Sequence, residues 1–215
     1  MDIPVMPLRA EKGRVLSSDL VLRGTSVTMS DAAPYDPSAA ADTDDKNVPL
    51  IVIDVKGLQR GDIDANILKR TKIKRELWLM TGIRDAGDVM DAFQGCMSKM
   101  IIPYHLTSDR SLKDITDVSD CCIPSLFIDN GAVHSGGNKK GLTEVIRTLR
   151  DMNFGKVLAF DVSDKKDISW KDLSGVSDIL IPYVPSGLPE DTGPLHDIGF
   201  SDTAVPAVRP SRDVF

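Results

Sequence analysis

The feature that most constrains the fold of this chain is a series of short apolar runs that recurs along it. Eight such runs lie at residues 3–8, 50–55, 76–80, 99–104, 123–128, 157–161, 179–183 and 203–208. Most are continuous apolar stretches, such as LIVIDV and VLAFDV, rather than alternations of apolar and polar residues. A strand that is covered on both faces needs that composition. The runs therefore predict a buried, mostly parallel sheet whose strands are joined by crossovers.

The segments between the runs differ in the amount of helix they predict. AGDVMDAFQG and LTEVIRTLRDMNF carry apolar residues at helical spacing, and both helices are expected to end at a glycine, Gly95 and Gly155. DIDANILKRTK and SLKDITDV are further helix candidates with acidic starts. YDPSAAADTDDKN and DISWKDL allow about two helical turns, and no helix is expected after the last run. Eight strands with several shortened helices favour one α/β domain over residues 1–215, a compact (βα)₈ TIM barrel, with an open doubly wound sheet as the alternative.

A faint internal repeat supports the barrel. An Ile-Pro pair opens the first and fifth runs, and an Asp-Val pair ends the second and sixth. A barrel built from two half-barrels produces this order, whereas an open sheet gives no reason for it.

Composition excludes several classes of function. Acidic residues outnumber basic ones by 32 to 26, so the net charge is -6 and no general affinity for nucleic acid or anionic membrane is expected. No apolar stretch reaches the roughly 18 residues of a membrane span, and the first residues lack the positive charge of a signal peptide, so a cytoplasmic protein is expected. The three cysteines and three histidines do not stand at metal-ligand spacing, and neither a metal nor a cofactor is predicted.

Several longer stretches resemble one known family. They are IPVMPLRAEKGRVL, VPLIVIDVKGLQRGDIDANILKRT, MTGIRDAGDVMDAFQGCMSKMIIP, SLFIDNGAV and FGKVLAFDVSD. Together they resemble the histidine-biosynthesis barrel family, which contains the ProFAR isomerase (phosphoribosylformimino-aminoimidazole carboxamide ribotide isomerase) and its partner cyclase subunit. The resemblance covers most of the chain, although strands seven and eight match only by their order. It implies a doubled half-barrel, a ligand with a phosphate at each end, and an aldose-ketose rearrangement by two aspartates near the carboxyl ends of strands one and five.

The chain departs from the family at both aspartate positions, which are Pro7 and Phe127 here. Neither side chain can carry a proton. Asp129 lies two residues further on, which is about 6.6 Å along a strand. Among the polar residues expected at the strand ends, His105 with Asp129 or Asp161 is therefore the candidate for a relocated proton-transfer pair. Asp54 and Asp161 have a simpler interpretation as caps of the turns that follow them.

The features expected to bind phosphate are also fewer than in the family. The candidates are Gly82, Arg84, Ser186, Gly187, Arg209 and Ser211. The segment HSGGNKKG, at residues 134–141, is a further candidate for a phosphate loop or a lid, with a simple turn before a helix as the alternative.

Two function hypotheses follow. The first is a protein that binds a small phosphorylated sugar or ribonucleotide-like ligand, as an isomerase or lyase with rearranged catalytic groups. The second is an inactive relative that serves as a regulatory or assembly subunit. The first needs a polar cavity at the carboxyl ends of the strands, whereas the second allows Phe127, Tyr104 and Tyr183 to fill that end. Because several crossovers are short, a homo-oligomer is expected to cover the exposed parts of the sheet.

Overall fold

The computed structural model describes residues 1–30, 32–35, 47–64, 67, 75–93, 98–163, 168–185 and 189–207, without the side chains of 189–191. The strands, in chain order, are β1 (Asp2–Glu11), β2 (Arg14–Ser17), β3 (Leu20–Arg23), β4 (Ser26–Met29), β5 (Ala33–Pro34), β6 (Leu50–Asp54), β7 (Leu77–Met80), β8 (Lys99–Pro103), β9 (Cys122–Asp129), β10 (Ala132–Ser135), β11 (Asn138–Gly141), β12 (Val157–Asp161), β13 (Leu180–Pro182) and β14 (Thr203–Pro206). The helices are α1 (Val55–Arg60), α2 (Ala86–Phe93), α3 (Asp109–Val118), α4 (Leu142–Asp151) and α5 (Pro189–Asp197), with 3₁₀ helices at Tyr104–Leu106 and Trp170–Val176. The chain is thus a mixed α/β protein.

Eight of the strands pair in parallel and form the central sheet of the described residues. Their order across the sheet is β14, β1, β6, β7, β8, β9, β12 and β13. Just past the end of β13, Tyr183 makes an isolated parallel bridge with Ala204 of β14, and the Val184 N–H donates to the Ala204 carbonyl at 2.8 Å. The two terminal strands of this order are therefore in contact through one bridge.

Each of the predicted apolar runs coincides with one of these parallel strands, so the prediction of a mostly parallel sheet in an α/β fold is confirmed. Alternate residues of a strand belong to two separate apolar clusters: Leu50 and Val52 of β6 to one, and Ile51 and Ile53 to the other. Both faces are covered, which explains why the runs are continuous rather than alternating. The first cluster contains the buried residues of α2, α3 and α4, and we call that side of the sheet the helical face.

The opposite side of the sheet is covered differently. There Val27 of β4 is buried against the strands, and Leu20, Leu22 and Met29 of the β3–β4 hairpin pack partly against them. We call this side the hairpin face. Gln59 of α1 donates to the Val27 carbonyl at 2.9 Å, which fixes the hairpin over the end of β6.

After β1 the chain turns back at Lys12 and Gly13, with φ of 45° and 80°, and forms β2. One local expectation is wrong. The helix α4 ends at Asp151 rather than at Gly155, because Asn153, with a φ of 65°, takes the left-handed position that was assigned to glycine. The segments 36–46 and 94–97, which include the predicted cap Gly95, lie outside the described residues.

The short helices follow the sequence more closely. Asp54 caps α1 by accepting from the Gly57 N–H, and Ser108 caps α3 by accepting from the Ser111 N–H. The segment predicted to hold two turns after β12 forms the 3₁₀ helix at Trp170–Val176. In the part of the chain that the structure describes, no helix has the length and apolar character needed to cross a membrane.

Candidate functional site

The parallel strands place their carboxyl ends along one edge of the sheet, where ligands of parallel α/β proteins usually bind. His105 follows β8 within a 3₁₀ helix, Asp129 ends β9, and Asp161 ends β12. These three predicted site residues therefore belong to neighbouring strands. Within the described part of the chain, however, no hydrogen bond or ion pair joins His105 to either aspartate.

Asp161 shapes the turn after its own strand. One carboxylate oxygen accepts from the backbone N–H and the hydroxyl of Ser163, and the other accepts from the Ile168 N–H at 3.0 Å. This is the capping role that the sequence left open beside catalysis. An aspartate engaged in this way holds the backbone at the site and is poorly placed to exchange a proton with a ligand.

Asp129 lies in a different environment. Lys139 Nζ donates to Oδ2 at 2.6 Å and Asn130 Nδ2 donates to Oδ1 at 2.7 Å. The hydrogen bond from Lys139 is the main cause that holds the pKa of the Asp129 carboxyl below its usual value. The imidazole beside this carboxylate is that of His134, whose Nε2 is 3.8 Å from Oδ2.

His105 is held as a neutral ring. Its imidazole stacks on Phe127 with ring centroids 4.8 Å apart and an angle of 23° between the planes. Burial, reinforced by the neighbouring His134, lowers the pKa of His105 to about 4. Its Nδ1 is buried and has no hydrogen-bond partner among the described residues. At neutral pH this side chain is therefore uncharged.

Aromatic side chains continue from His105 across the hairpin face. Phe127 packs edge-on to Phe160 with ring centroids 5.4 Å apart, and the ring centroids of Phe160 and Tyr183 are 5.1 Å apart. Phe127 and Phe160 are essentially inaccessible to solvent, and burial raises the pKa of Tyr183 to about 12. Pro7 is also buried, opposite Ile53 in the neighbouring strand. The two positions that the resemblance aligns with aspartates, Pro7 and Phe127, are thus both buried.

Tyr104, which the second function hypothesis allows to join this aromatic filling, does not do so. Its ring belongs to the helical face, where its hydroxyl donates to Asp109 at 2.8 Å and accepts from Lys140 at 3.1 Å. Lys140 also bonds Asp109 at 2.7 Å, so the three groups attach the β10–β11 hairpin to the start of α3. Burial is the main cause that raises the pKa of Tyr104.

A separate polar cluster lies at the ends of β6 and β7. The Asp54 carboxylate accepts from the Gly57 N–H at 2.9 Å, the Asp64 N–H at 3.0 Å and the Thr81 hydroxyl at 2.8 Å. Burial raises the pKa of Asp54 despite these donors. The cluster connects two strand ends with the first helix and the loop after it.

The structure places only part of the predicted phosphate site. A Cβ at Gly82 would lie 2.2 Å from the Asp62 nitrogen and 2.4 Å from the Gly57 carbonyl oxygen, so this glycine permits backbone packing. Arg84 is exposed and pairs with Asp88 at 3.2 Å. Ser186, Gly187, Arg209 and Ser211 lie outside the described residues.

The segment at residues 134–141 is a β-hairpin rather than a loop. Gly136 and Gly137, with φ of 52° and 86°, form its turn, and His134 stands opposite Lys139. Sequence reasoning missed His134 as a partner of Asp129, although the Gly-Gly pair between two short polar strands signals this hairpin. No group of three His, Cys, Asp or Glu residues able to hold a metal ion is found within the described ranges.

The sequence was compared with protein-family models and with curated proteins. No protein-family model matches the sequence, and no curated protein matches it.

Proposed function

We propose that this chain is a barrel without the acid-base chemistry of the family it resembles, and that it acts as a regulatory or assembly subunit. The observation that carries this proposal is the aromatic packing from His105 through Phe127 and Phe160 to Tyr183. It occupies the end of the sheet at which an isomerase of this type needs two proton-carrying side chains. His105 stays uncharged there, and Pro7 and Phe127 carry no proton.

The barrel itself is part of the proposal. The bridge between Tyr183 and Ala204 joins the two terminal strands of an order that otherwise contains eight parallel strands, which is what closure of a (βα)₈ barrel requires. In such a barrel the hairpin face is the interior, and the β3–β4 hairpin covers its carboxyl end. The two half-barrels expected from the sequence repeat remain part of this proposal.

Two observations support association with another protein. Met90 on α2 and Val118 on α3 are large apolar side chains that are 56% and 47% exposed, and these two helices pack against each other. The described connection after β1 is made of hairpins, and that after β12 contains only a 3₁₀ helix. The helical face is thus covered unevenly, which favours a homo-oligomer.

A second candidate function is favoured by one distance. His134 Nε2 is buried, has no hydrogen-bond partner in the described part of the chain, and lies 3.8 Å from the Asp129 carboxylate. A histidine beside a carboxylate is a common arrangement for proton transfer. This pair would support an isomerase or lyase that acts on a phosphorylated sugar or ribonucleotide-like ligand with rearranged groups.

One experiment separates the two candidates. The full chain is incubated with an N-substituted ribosylamine 5-phosphate, and formation of the ketose product is followed by NMR, in parallel with His134→Gln and Asp129→Asn. We expect no conversion above the buffer rate for any of the three proteins, and sedimentation equilibrium is expected to show a dimer or larger species. Conversion by the wild type that is lost in both variants would replace the proposed function by the second candidate.

A further inference from the structure

The last strand of the central sheet has a weaker backbone attachment than its neighbours. β14 pairs in parallel with β1, and we call this junction the seam. Pro4 of β1 and Pro206 of β14 lie within the seam, and a proline has no N–H to donate to the ladder. On its other side β14 meets the end of β13 through the Tyr183–Ala204 bridge. The position of β14 therefore depends strongly on side-chain contacts.

A network of side chains centred on Asp2 crosses the seam. The Asp2 carboxylate accepts from the Thr203 hydroxyl of β14 and, at 3.2 Å, from the Thr192 hydroxyl of α5. Its Oδ1 is also 3.0 Å from His196 Nε2. Burial opposes ionisation of Asp2, but the hydrogen bonds from Thr203, His196 and Thr192 outweigh burial and lower the pKa of the carboxyl. At neutral pH Asp2 is therefore a carboxylate, which can only accept hydrogen bonds.

His196 faces an acceptor at each ring nitrogen. Nε2 faces the Asp2 carboxylate, and Nδ1 is 2.8 Å from the Phe200 carbonyl oxygen. Neither oxygen has a proton to donate, so both nitrogens have to supply one. Only the imidazolium form has a proton on both nitrogens, whereas the neutral ring would direct a lone pair at one of the two oxygens. His196 also lies in the last turn of α5, where the helix dipole favours a positive charge.

The protonated ring connects the three elements that meet at the seam. His196 belongs to α5, Asp2 belongs to β1, and Phe200 lies in the turn that leads into β14. We propose that His196 is a pH-sensitive link across the seam: its imidazolium form fixes α5 and β14 to β1, and loss of one ring proton breaks one of its two bonds and loosens β14. Histidine side chains ordinarily change charge between about pH 5 and 8. The seam is thus tighter at the lower end of this range and looser at the upper end.

The other charged groups at this end of the sheet pair with one another. The amino group of Met1 donates to the Ser201 carbonyl and is 3.9 Å from the Asp202 carboxylate, which also pairs with Lys156. Asp197 is exposed beside His196 on α5. An α-amino group also ordinarily titrates near the upper end of the range, at about pH 8. A test of the link therefore needs a variant that removes the His196 ring alone.

The test measures amide hydrogen exchange in the full chain by NMR between pH 5.5 and 8.5, with rates converted to protection factors. The reporters are the amides of Thr203 and Ala207, which donate across the seam to the Met1 and Val5 carbonyls. The Leu50 amide, which donates to the Glu76 carbonyl between β6 and β7, is the internal reference. We expect protection of the two reporters to fall about fivefold from the lowest to the highest pH, relative to Leu50. Protection that does not change with pH would overturn the link.

Three variants identify the group that is responsible. His196→Gln keeps a donor but cannot take a charge, and Asp2→Asn removes the negative charge that faces the ring; both are expected to lose the pH dependence. Asp197→Asn removes an exposed carboxylate from the same helix and is expected to keep it. A pH dependence that survives in His196→Gln would assign the effect to the amino group of Met1 and overturn the link.

The link goes beyond the proposed function, because a regulatory or assembly subunit does not need a pH-dependent seam. Its failure would leave the proposed function untouched, since sedimentation and turnover are measured separately. Conversion of the ribosylamine phosphate would overturn the proposed function and leave the link standing.

Discussion

The carboxyl ends of β6 and β7 and those of β8 and β9 carry similar polar residues, but the two pairs of ends differ in how far these residues are hydrogen-bonded. At the first pair of ends the Asp54 carboxylate accepts three hydrogen bonds from Gly57, Asp64 and Thr81. At the second pair His105 Nδ1 and His134 Nε2 are buried and accept or donate none within the described residues. A saturated polar group at a strand end stabilises the fold, whereas a buried polar atom without a partner costs free energy.

The difference arises from the connections that follow the strands. Helix α1 begins directly after β6, so its first N–H groups converge on the Asp54 side chain. After β9 the chain forms a hairpin, whose N–H groups take part in the β10–β11 ladder or, at Gly136, bond the His105 carbonyl rather than a side chain. The first pair of ends should therefore respond to mutation mainly in stability, and the second mainly in titration.

The largest expected effect is that of Gly82→Ala, at the first pair of ends. The added Cβ would lie within 2.6 Å of three backbone atoms, of Asp62, Gly57 and Gly61, none of which can move as a side chain does. We expect a loss of more than about 4 kcal/mol of unfolding free energy in urea titrations. Gly155→Ala is the matched control, because a Cβ there meets nothing within 4 Å. Equal stabilities of the two variants would contradict the close packing at this end.

The next effect is that of Asp54→Ala. Removal of the carboxylate takes this acceptor away from the Gly57 and Asp64 N–H groups and leaves the Thr81 hydroxyl with its 3.2 Å bond to the Asp62 carbonyl, and a loss of about 3 kcal/mol is expected. Asp54→Asn keeps one carbonyl oxygen and should lose less. Asp129→Asn, at the second pair of ends, should change the midpoint of urea unfolding much less than Asp54→Ala. If Asp129→Asn lowered the midpoint of urea unfolding more than Asp54→Ala, the contrast between the two pairs of strand ends would be contradicted.

His105→Leu tests the second pair of ends through the pH dependence of stability. In the unfolded chain the imidazole binds a proton below its ordinary pKa of 6.5, whereas in the folded protein it binds one only near 4. The unfolded state thus holds more protons between these values, and His105 removes stability as the pH falls through them, by about 2 kcal/mol at pH 5. The variant should lack this loss, so its unfolding free energy relative to wild type should rise from pH 7 to pH 5. A constant difference over this range would contradict the burial of a neutral ring.

Tyr104→Phe is expected to have the smallest effect. It removes one hydroxyl that donates to Asp109 and accepts from Lys140, while the direct bond between those two groups remains. A loss of about 1 kcal/mol is expected, with faster amide exchange in the β10–β11 hairpin. Thr116→Val removes a hydroxyl of α3 that donates to the Lys113 carbonyl of the same helix, and it is the control. Slower or unchanged amide exchange in the β10–β11 hairpin would show that the Tyr104 hydroxyl does not stabilise the hairpin.

The central sheet was predictable from the sequence because its signal is local. Continuous runs such as LIVIDV coincide with β6 and its neighbours, since a strand buried on both faces cannot alternate. The hairpins were missed although two of their turns carry a local signal: Lys12 and Gly13 before β2, and Gly136 and Gly137 before β11. For the second pair the sequence left a phosphate loop, a lid and a simple turn before a helix open, because glycines beside lysines fit each of them.

The candidate site was less predictable because it depends on contacts between distant residues. That Asp161 serves as a cap follows from Ser163 two residues later, and the sequence offered this as an alternative. His134 rather than His105 lies beside Asp129. This arrangement depends on the register of β10 against β9, in which Ala132 pairs with Asp129. That His105 is neutral depends on its stack with Phe127, twenty-two residues away in the sequence. No local pattern contains these relations.

The most direct test of the account is a ¹⁵N NMR titration of the His105 imidazole in the folded wild-type protein. A midpoint of about 4 is expected, because the ring is buried on Phe127 and has no carboxylate partner among the described residues. His105→Leu identifies its signal by difference. A midpoint at or above 6.5, with a matching inflection in the Asp129 carboxyl resonance, would show a proton-transfer pair at the strand ends and would contradict it.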